Sequence, residues 1–340
     1  MECTIRATQP NRNADMPGIL AYSDERPHRP ETGGLAPLAP LVQALAPEEG
    51  YTLTALPSVR LLRSNRPLAQ TPVLYDPGIV IVCQGSKRGY FGGRTFVYDA
   101  HQYLAVSVPV PFTMETDASP EAPLLALYLH LDFPLAAELM LGIEREGGGG
   151  NRTSPQSMMS SPLDAAMHAS VQRLLLALAV PMDAALLGPH LLRELYYRVL
   201  TGPQGGALRA ALGMHGQFGR IGRALQRIHA DYAQKLDVAQ LAEDAGMSPP
   251  SFHSHFRAVT CTSPIQYLKS TRLHQARLLM LQEGMTAAAA SHAVGFESAS
   301  QFNREFKRLF GLTPAKEVQR MRASFVLPPR PVDAAYVSSH

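Results

Sequence analysis

The polar side chains whose spacing suits chemistry lie in two short stretches in the C-terminal third of the 340-residue chain. Pro250, Ser251, His253, Ser254 and Arg257 surround the pair Phe252 and Phe256. Ser300, Gln301, Asn303, Arg304, Lys307 and Arg308 surround the pair Phe302 and Phe306. Phenylalanines four apart share one face of a helix, so the polar residues project away from it. Arginine pairs bidentately with guanine, and glutamine or asparagine with adenine, so Arg304, Gln301 and Asn303 carry the groups that read base edges. Arg257, Lys307 and Arg308 are of the type that clamps phosphate and fixes register without reading sequence. A merely solvated helix face would show the same residue types. What decides between these readings is the repeat beneath them.

That repeat has a period of 50 residues: Phe252 and Phe256 return as Phe302 and Phe306, and Ser263-Pro264 returns as Thr313-Pro314. In the first copy a short helix is predicted from about Val238 to Ala245, with Asp237 as N-cap. Gly246 then supplies a left-handed turn residue, Ser248 caps the next helix, and Pro249 fits its first turn. In the second copy the leading helix is predicted over about Thr286 to Ala293. The turn is Val294 to Ser298, and the following helix runs over Ala299 to Phe310. Small residues (Ala242, Ala245, Ala290 and Ala293) let the paired helices approach closely, and the phenylalanines fill the space between them. This is the build of a helix-turn-helix.

The whole stretch 217–322, with AVGFESASQFNREFKRLFGLTP as its most diagnostic part, resembles the DNA-binding domain of the AraC family. The helix Pro264 to Leu281 resembles that family's connector between two helix-turn-helix units. The resemblance implies that helices 249–258 and 299–310 enter adjacent major grooves about one helical turn apart. Pro250, Ser251, His253, Ser254, Ser300, Gln301, Asn303 and Arg304 would then face bases, and Arg257, Lys307 and Arg308 phosphates. Pro250 and His253 stand where long polar chains are expected, so the first helix would read less directly or touch thymine methyls. Upstream, the stretch from LYDPGIVIVCQG to LLALYLHLD resembles the sensor domain of an AraC subgroup, a cupin-like β-barrel that binds small effectors. The implied architecture is α+β: a cupin-like β-barrel with helices over 35–200, a linker over 201–216, and an all-α double helix-turn-helix domain over 217–322. Disordered tails are expected over 1–34 and 323–340. The expected partners are double-stranded DNA, RNA polymerase as an activator's contact, a small-molecule effector and a second copy of the chain, with no cofactor.

Composition agrees with this division. Residues 217–327 carry 14 Lys/Arg against 8 Asp/Glu, whereas residues 1–216 carry 16 against 19. A basic module joined to a mildly acidic one suits a chain whose C-terminal part meets a polyanion. No apolar run approaches the roughly 20 residues of a membrane span, and the N-terminus has no apolar signal core, so a cytoplasmic protein is expected. Cys3, Cys83 and Cys261 have no metal-type spacing. The runs from Tyr51 to about Asp132 are rich in Val, Tyr and Phe and broken by Gly, Pro and Asp, as in an antiparallel barrel or sandwich, with Gly92-Gly93 at a hairpin. Helices are predicted over Leu38 to Leu45, Ser161 to Leu178 and Ala184 to Leu200.

Competing readings are weaker. A cupin-like metal enzyme would need several converging ligands, but the barrel offers only His101 and His130. His253 and His255 point apart on a helix. The glycines at 147–150 are read as a loop, since no Lys-Ser/Thr follows them. Cys83 in an apolar strand reads as a small buried hydrophobe. Leu174, Leu175, Leu178, Leu191, Leu192 and Leu195 form an apolar face that either joins two copies or packs on the chain's own barrel. The remaining functional alternative is a small-molecule sensor whose DNA-binding domain is vestigial or inhibitory.

Overall fold

Strict alternation of buried and outward residues marks the strands β8 (Val110–Asp117) and, in part, β5 (Ser86–Phe91) and β6 (Arg94–Asp99), each buried on one face. Others, β2 (Val59–Ser64), β4 (Gly78–Gln84) and β9 (Leu124–His130), are buried on both faces, which explains near-continuous apolar runs such as LLALYLH. The computed structural model describes residues 36–148, 153–213 and 216–324. With β1 (Gly50–Leu53), β3 (Leu68–Tyr75), β7 (Gln102–Val106) and β10 (Met158–Pro162), the strands form two antiparallel sheets. The larger has the order β1-β2-β9-β4-β7-β10 and the smaller β3-β8-β5-β6.

The inner faces meet in one core. Leu62, Val80, Val82, Leu104, Val106, Ala126 and Tyr128 come from the larger sheet, and Val73, Tyr75, Phe96, Tyr98, Phe112 and Met114 from the smaller. The cupin-like barrel is thus present as two stacked sheets rather than a closed ring. β1 and β10 stand at the edges of one sheet and β3 and β6 at those of the other, so no ladder of hydrogen bonds joins them. The β5–β6 hairpin turns at Gly92 and Gly93, whose φ values of 58° and 73° explain the glycines.

The larger sheet's outer face (Leu61, Ile79, Ile81, Leu127 and Leu129) is covered by helices. These are α1 (Ala39–Leu45), α2 (Phe133–Arg145), α3 (Ala165–Leu178), α4 (Pro181–Leu186) and α5 (Gly188–Thr201). Asp132 and Asp164 start α2 and α3 by accepting from Leu135 N at 2.9 Å and Met167 N at 2.7 Å. Leu174, Leu175, Leu192 and Leu195 belong to this covering core, so the leucine face packs on the chain's own sheet. The stretch 201–216, expected as a linker, holds α6 (Gly205–Leu212) with Ala207, Leu208 and Ala211 buried. Its flanking Gly and Pro hide a helix-forming core, ALRAAL. Likewise, residues 158–162, partly assigned to a helix from the sequence, add strand β10 to β7.

Seven helices follow: α7 (Gly216–Asp231), α8 (Val238–Asp244), α9 (Pro249–Thr260), α10 (Pro264–Gln282), α11 (Ala287–Ala293), α12 (Ala299–Phe310) and α13 (Pro314–Ser324). The last reaches two residues into the expected C-terminal tail. The rest of that tail, the N-terminal tail and most of the glycine loop lie outside the described residues.

Candidate nucleic-acid interface

Each helix-turn-helix is assembled by the same local devices. Asp237 Oδ1 accepts from Ala239 N at 2.9 Å to start α8, and Thr286 Oγ1 accepts from Ala289 N at 3.2 Å to start α11. Gly246 and Gly295 turn the chain with φ of 62° and 81°. At Gly295 a β-carbon would also collide with the carbonyl oxygen of Ala233, so glycine is needed twice over. Ser298 Oγ accepts from Gln301 N at 3.4 Å to start α12. Ser248 holds the matching position before α9 but makes no side-chain cap bond, and Pro249 at the helix start does the work there instead. At the far end, Gly311 (φ 78°) terminates α12 in the left-handed conformation, and Cys261 (φ 59°) takes the same conformation 50 residues earlier.

The phenylalanine pairs superpose in geometry as well as in sequence. Phe252 and Phe256, like Phe302 and Phe306, are fully buried, and ring centroids are 5.5 Å apart in both pairs. Both pairs face α10, which is buried nearly all round. Phe256 meets Tyr267 edge-on at 5.5 Å, and Phe310 meets His274 at 5.2 Å. The two units are therefore held by one central helix.

Opposite the phenylalanines, Pro250, His253, Ser254 and Arg257 on α9 are exposed, as are Ser300, Asn303, Arg304, Lys307 and Arg308 on α12. Among the described residues, the side chains of Asn303, Arg304 and Lys307 have no hydrogen-bond or ion-pair partner. Ser251 and Gln301 are only half-exposed. Ser251 is turned toward His255, whose Nδ1 lies 2.8 Å from its carbonyl oxygen. Arg308 is engaged within the chain, donating to Gln266 Oε1 at 3.0 Å and pairing with Glu305. Glu305 also pairs with Lys269 at 3.1 Å, which ties α12 to α10. His253 is exposed and His255 half-buried, and among the described residues no His/Cys/Asp/Glu cluster could hold a metal.

Behind this surface lie residues whose role was not read from the sequence. Arg277 on α10 is wholly buried and pairs with the equally buried Glu317 of α13 at 3.2 Å. Burial lowers the guanidinium pKa to about 10, while Glu317 holds its charge in place. Arg277 also donates to the Pro72 carbonyl on β3 at 3.1 Å, and Arg320 donates to Thr71 Oγ1 at 3.3 Å. Tyr267 donates to the Pro109 carbonyl at 2.9 Å, and Ser157 to the Val259 carbonyl at 2.6 Å. Since Tyr267 spends its proton on Pro109, His229 Nε2, 2.7 Å away, donates to the phenol oxygen as a neutral imidazole. Burial depresses the His229 pKa to about 3. The detectable signal was a charged residue inside the apolar run ARLLML.

Residues 55–207 match the family described as AraC-type transcriptional regulator N-terminus, and residues 241–320 match a helix-turn-helix domain. Together these spans exceed half of the chain. The C-terminal part is 33% identical over 103 residues to the RCS-specific HTH-type transcriptional activator RclR of Escherichia coli (strain K12), covering 30% of this chain and 36% of that protein. It is 29% identical over 97 residues to the MmsAB operon regulatory protein of Pseudomonas aeruginosa, covering 28% and 30%. The chain thus spans about a third of the length of these curated relatives. In fold, it is similar to ToxT of Vibrio cholerae, solved with unsaturated fatty acid bound: the TM-score is 0.52 at 10% identity, covering 80% of this chain and 97% of that one. With both halves matched in order, the chain belongs to the AraC-type transcriptional regulators.

Proposed function

We propose that the protein regulates transcription by binding a specific DNA sequence with α9 and α12 in adjacent major grooves. The observation that carries this reading is the exposed face of α12, where Asn303, Arg304 and Lys307 remain unpartnered while the Phe302/Phe306 pair locks the helix from behind. Ser300, Gln301, Asn303 and Arg304 on α12 and Pro250, Ser251, His253 and Ser254 on α9 read bases, with Arg304 on guanine. Arg257, Lys307 and Arg308 bind phosphates. For Arg308 this means exchanging its Gln266 and Glu305 contacts for the phosphate. With few long polar chains on α9, most sequence discrimination falls to α12.

The two-sheet domain is the effector-responsive part. The protein acts as an activator beside RNA polymerase, and it works in the cytoplasm. Among the described residues no helix is long and apolar enough to cross a membrane. Arg304→Ala tests the central assignment. It should weaken binding to the cognate site by roughly 1–3 kcal/mol and relax the preference at one base pair. An equal loss on random DNA would make Arg304 a phosphate contact instead.

A further inference from the structure

The chain contains five lysines, and residues 1–234 contain a single one, Lys87, although arginine is common there. That lysine does not reach solvent. It projects from β5 into the core between the two sheets and is 1% exposed. Its Nζ lies 2.7 Å from Tyr128 Oη, 3.3 Å from Tyr75 Oη and 3.8 Å from Met114 Sδ. The Tyr128 and Tyr75 rings lie 5.4 and 5.9 Å from it. Among the described residues Lys87 has no ion pair. The groups facing it are Tyr75 from β3, Tyr128 from β9, Met114 and Thr116 from β8 and Tyr98 from β6, with Tyr51 of β1 and Arg60 of β2 beyond Tyr128. None is an acid.

A stabilising structural role alone would favour an apolar residue here, because a buried amine without a carboxylate costs several kcal/mol when charged. Such a setting instead suits an amine used as a nucleophile. Burial lowers the Lys87 pKa to about 7, so much of it is neutral at neutral pH. The phenol oxygens of Tyr128 and Tyr75 beside it hold the amine in place.

We propose that Lys87 captures a small carbonyl compound, an aldehyde or ketone of a few carbon atoms, as an imine between the two sheets. This rests on the effector-responsive reading given above and names the effector's chemistry. The Nζ lone pair forms a bond to the carbonyl carbon, and the carbonyl oxygen takes up a proton. The resulting carbinolamine loses that oxygen as one water molecule, leaving a C=N bond, with no change of oxidation state. The burial of Lys87 between the sheets restricts the reactant to small molecules. Imine formation removes N–H donors that tie Tyr75 and Tyr128 together. Tyr75 lies on β3, the strand whose Thr71 and Pro72 hold Arg320 and Arg277 of the DNA-binding half.

The test incubates the full chain with limiting propanal and cyanoborohydride near neutral pH, then maps propylated lysines by peptide mass spectrometry. Lys87 should be labelled at least about tenfold faster than Lys235, Lys307 and Lys316, which are exposed. Its labelling should be half-maximal near pH 7, and Lys87→Arg should abolish it while sparing the others. Labelling of Lys87 no faster than the exposed lysines would overturn the proposal. So would protection against heating by propanoate with no adduct, which would indicate a carboxylate site. The mapping needs no DNA, so its failure is separable from failure of the DNA-binding reading. Promoter affinity unchanged after complete Lys87 labelling would overturn the link to regulation.

Discussion

Lys307 projects from α12 with no partner inside the chain, three residues beyond Arg304 and one turn further along the helix. The phosphate contact proposed for it would be made whatever the base beside it. Lys307→Ala should therefore weaken binding to cognate and random DNA alike and lower the slope of log affinity against log salt by about one. A loss confined to the cognate site would give Lys307 a reading role. Buried imidazoles give a second residue-scale expectation. His229 is held near pKa 3 by burial, below its ordinary value of 6.5 in the unfolded chain. The unfolded state then binds the extra proton, so the stability His229 contributes is complete above about pH 6.5 and is lost as pH falls toward its folded value. Melting temperature should fall between about pH 7 and pH 5, and His229→Gln should flatten that dependence. An unchanged slope would mean that His229 is not the group responsible.

At the scale of elements, α10 explains how two helix-turn-helix units keep a fixed relation. It carries Tyr267 against the first phenylalanine pair and His274 against the second unit, and its Arg277 reaches both α13 and β3. Removing one partner of a wholly buried ion pair leaves an uncompensated charge, so Glu317→Ala should destabilise the chain by about 3–5 kcal/mol. Arg277→Met combined with Glu317→Ala should cost less than Glu317→Ala alone, measured by chemical denaturation. A strictly additive double variant would show that the pair is not coupled. These elements also show what the sequence could reveal. The 50-residue repeat, the glycine turns and the phenylalanine pairs were legible because each is a local pattern within a few residues. Strand β10 and helix α6 were hidden because tertiary packing chose the conformation of short, mixed segments. The Arg277–Glu317 pair joins residues 40 apart, and nothing in local periodicity announces such a contact.

Across the whole molecule, the β-sandwich and the double helix-turn-helix are joined by buried contacts. Tyr267–Pro109, Ser157–Val259 and Arg277–Pro72 tie them through hydrogen bonds, while Leu74 and Leu278 pack together in a small shared core. A change between the two sheets therefore has a physical route to α10 and α13. The sequence showed the two halves and their charge difference, but not this seam, whose residues are spread over 71–157 and 259–320. The choice between barrel and sandwich was left open by the sequence, since alternation reports which face a strand buries and not which neighbour it pairs with. Sequence-specific DNA binding is tested by measuring affinity for the upstream intergenic DNA of its own gene, with random DNA as control and salt varied. Tight binding to the intergenic fragment, selective over random DNA and falling steeply with salt, is the result expected. Weak, unselective binding at every salt concentration would contradict it and leave the β-sandwich as the working part of the protein.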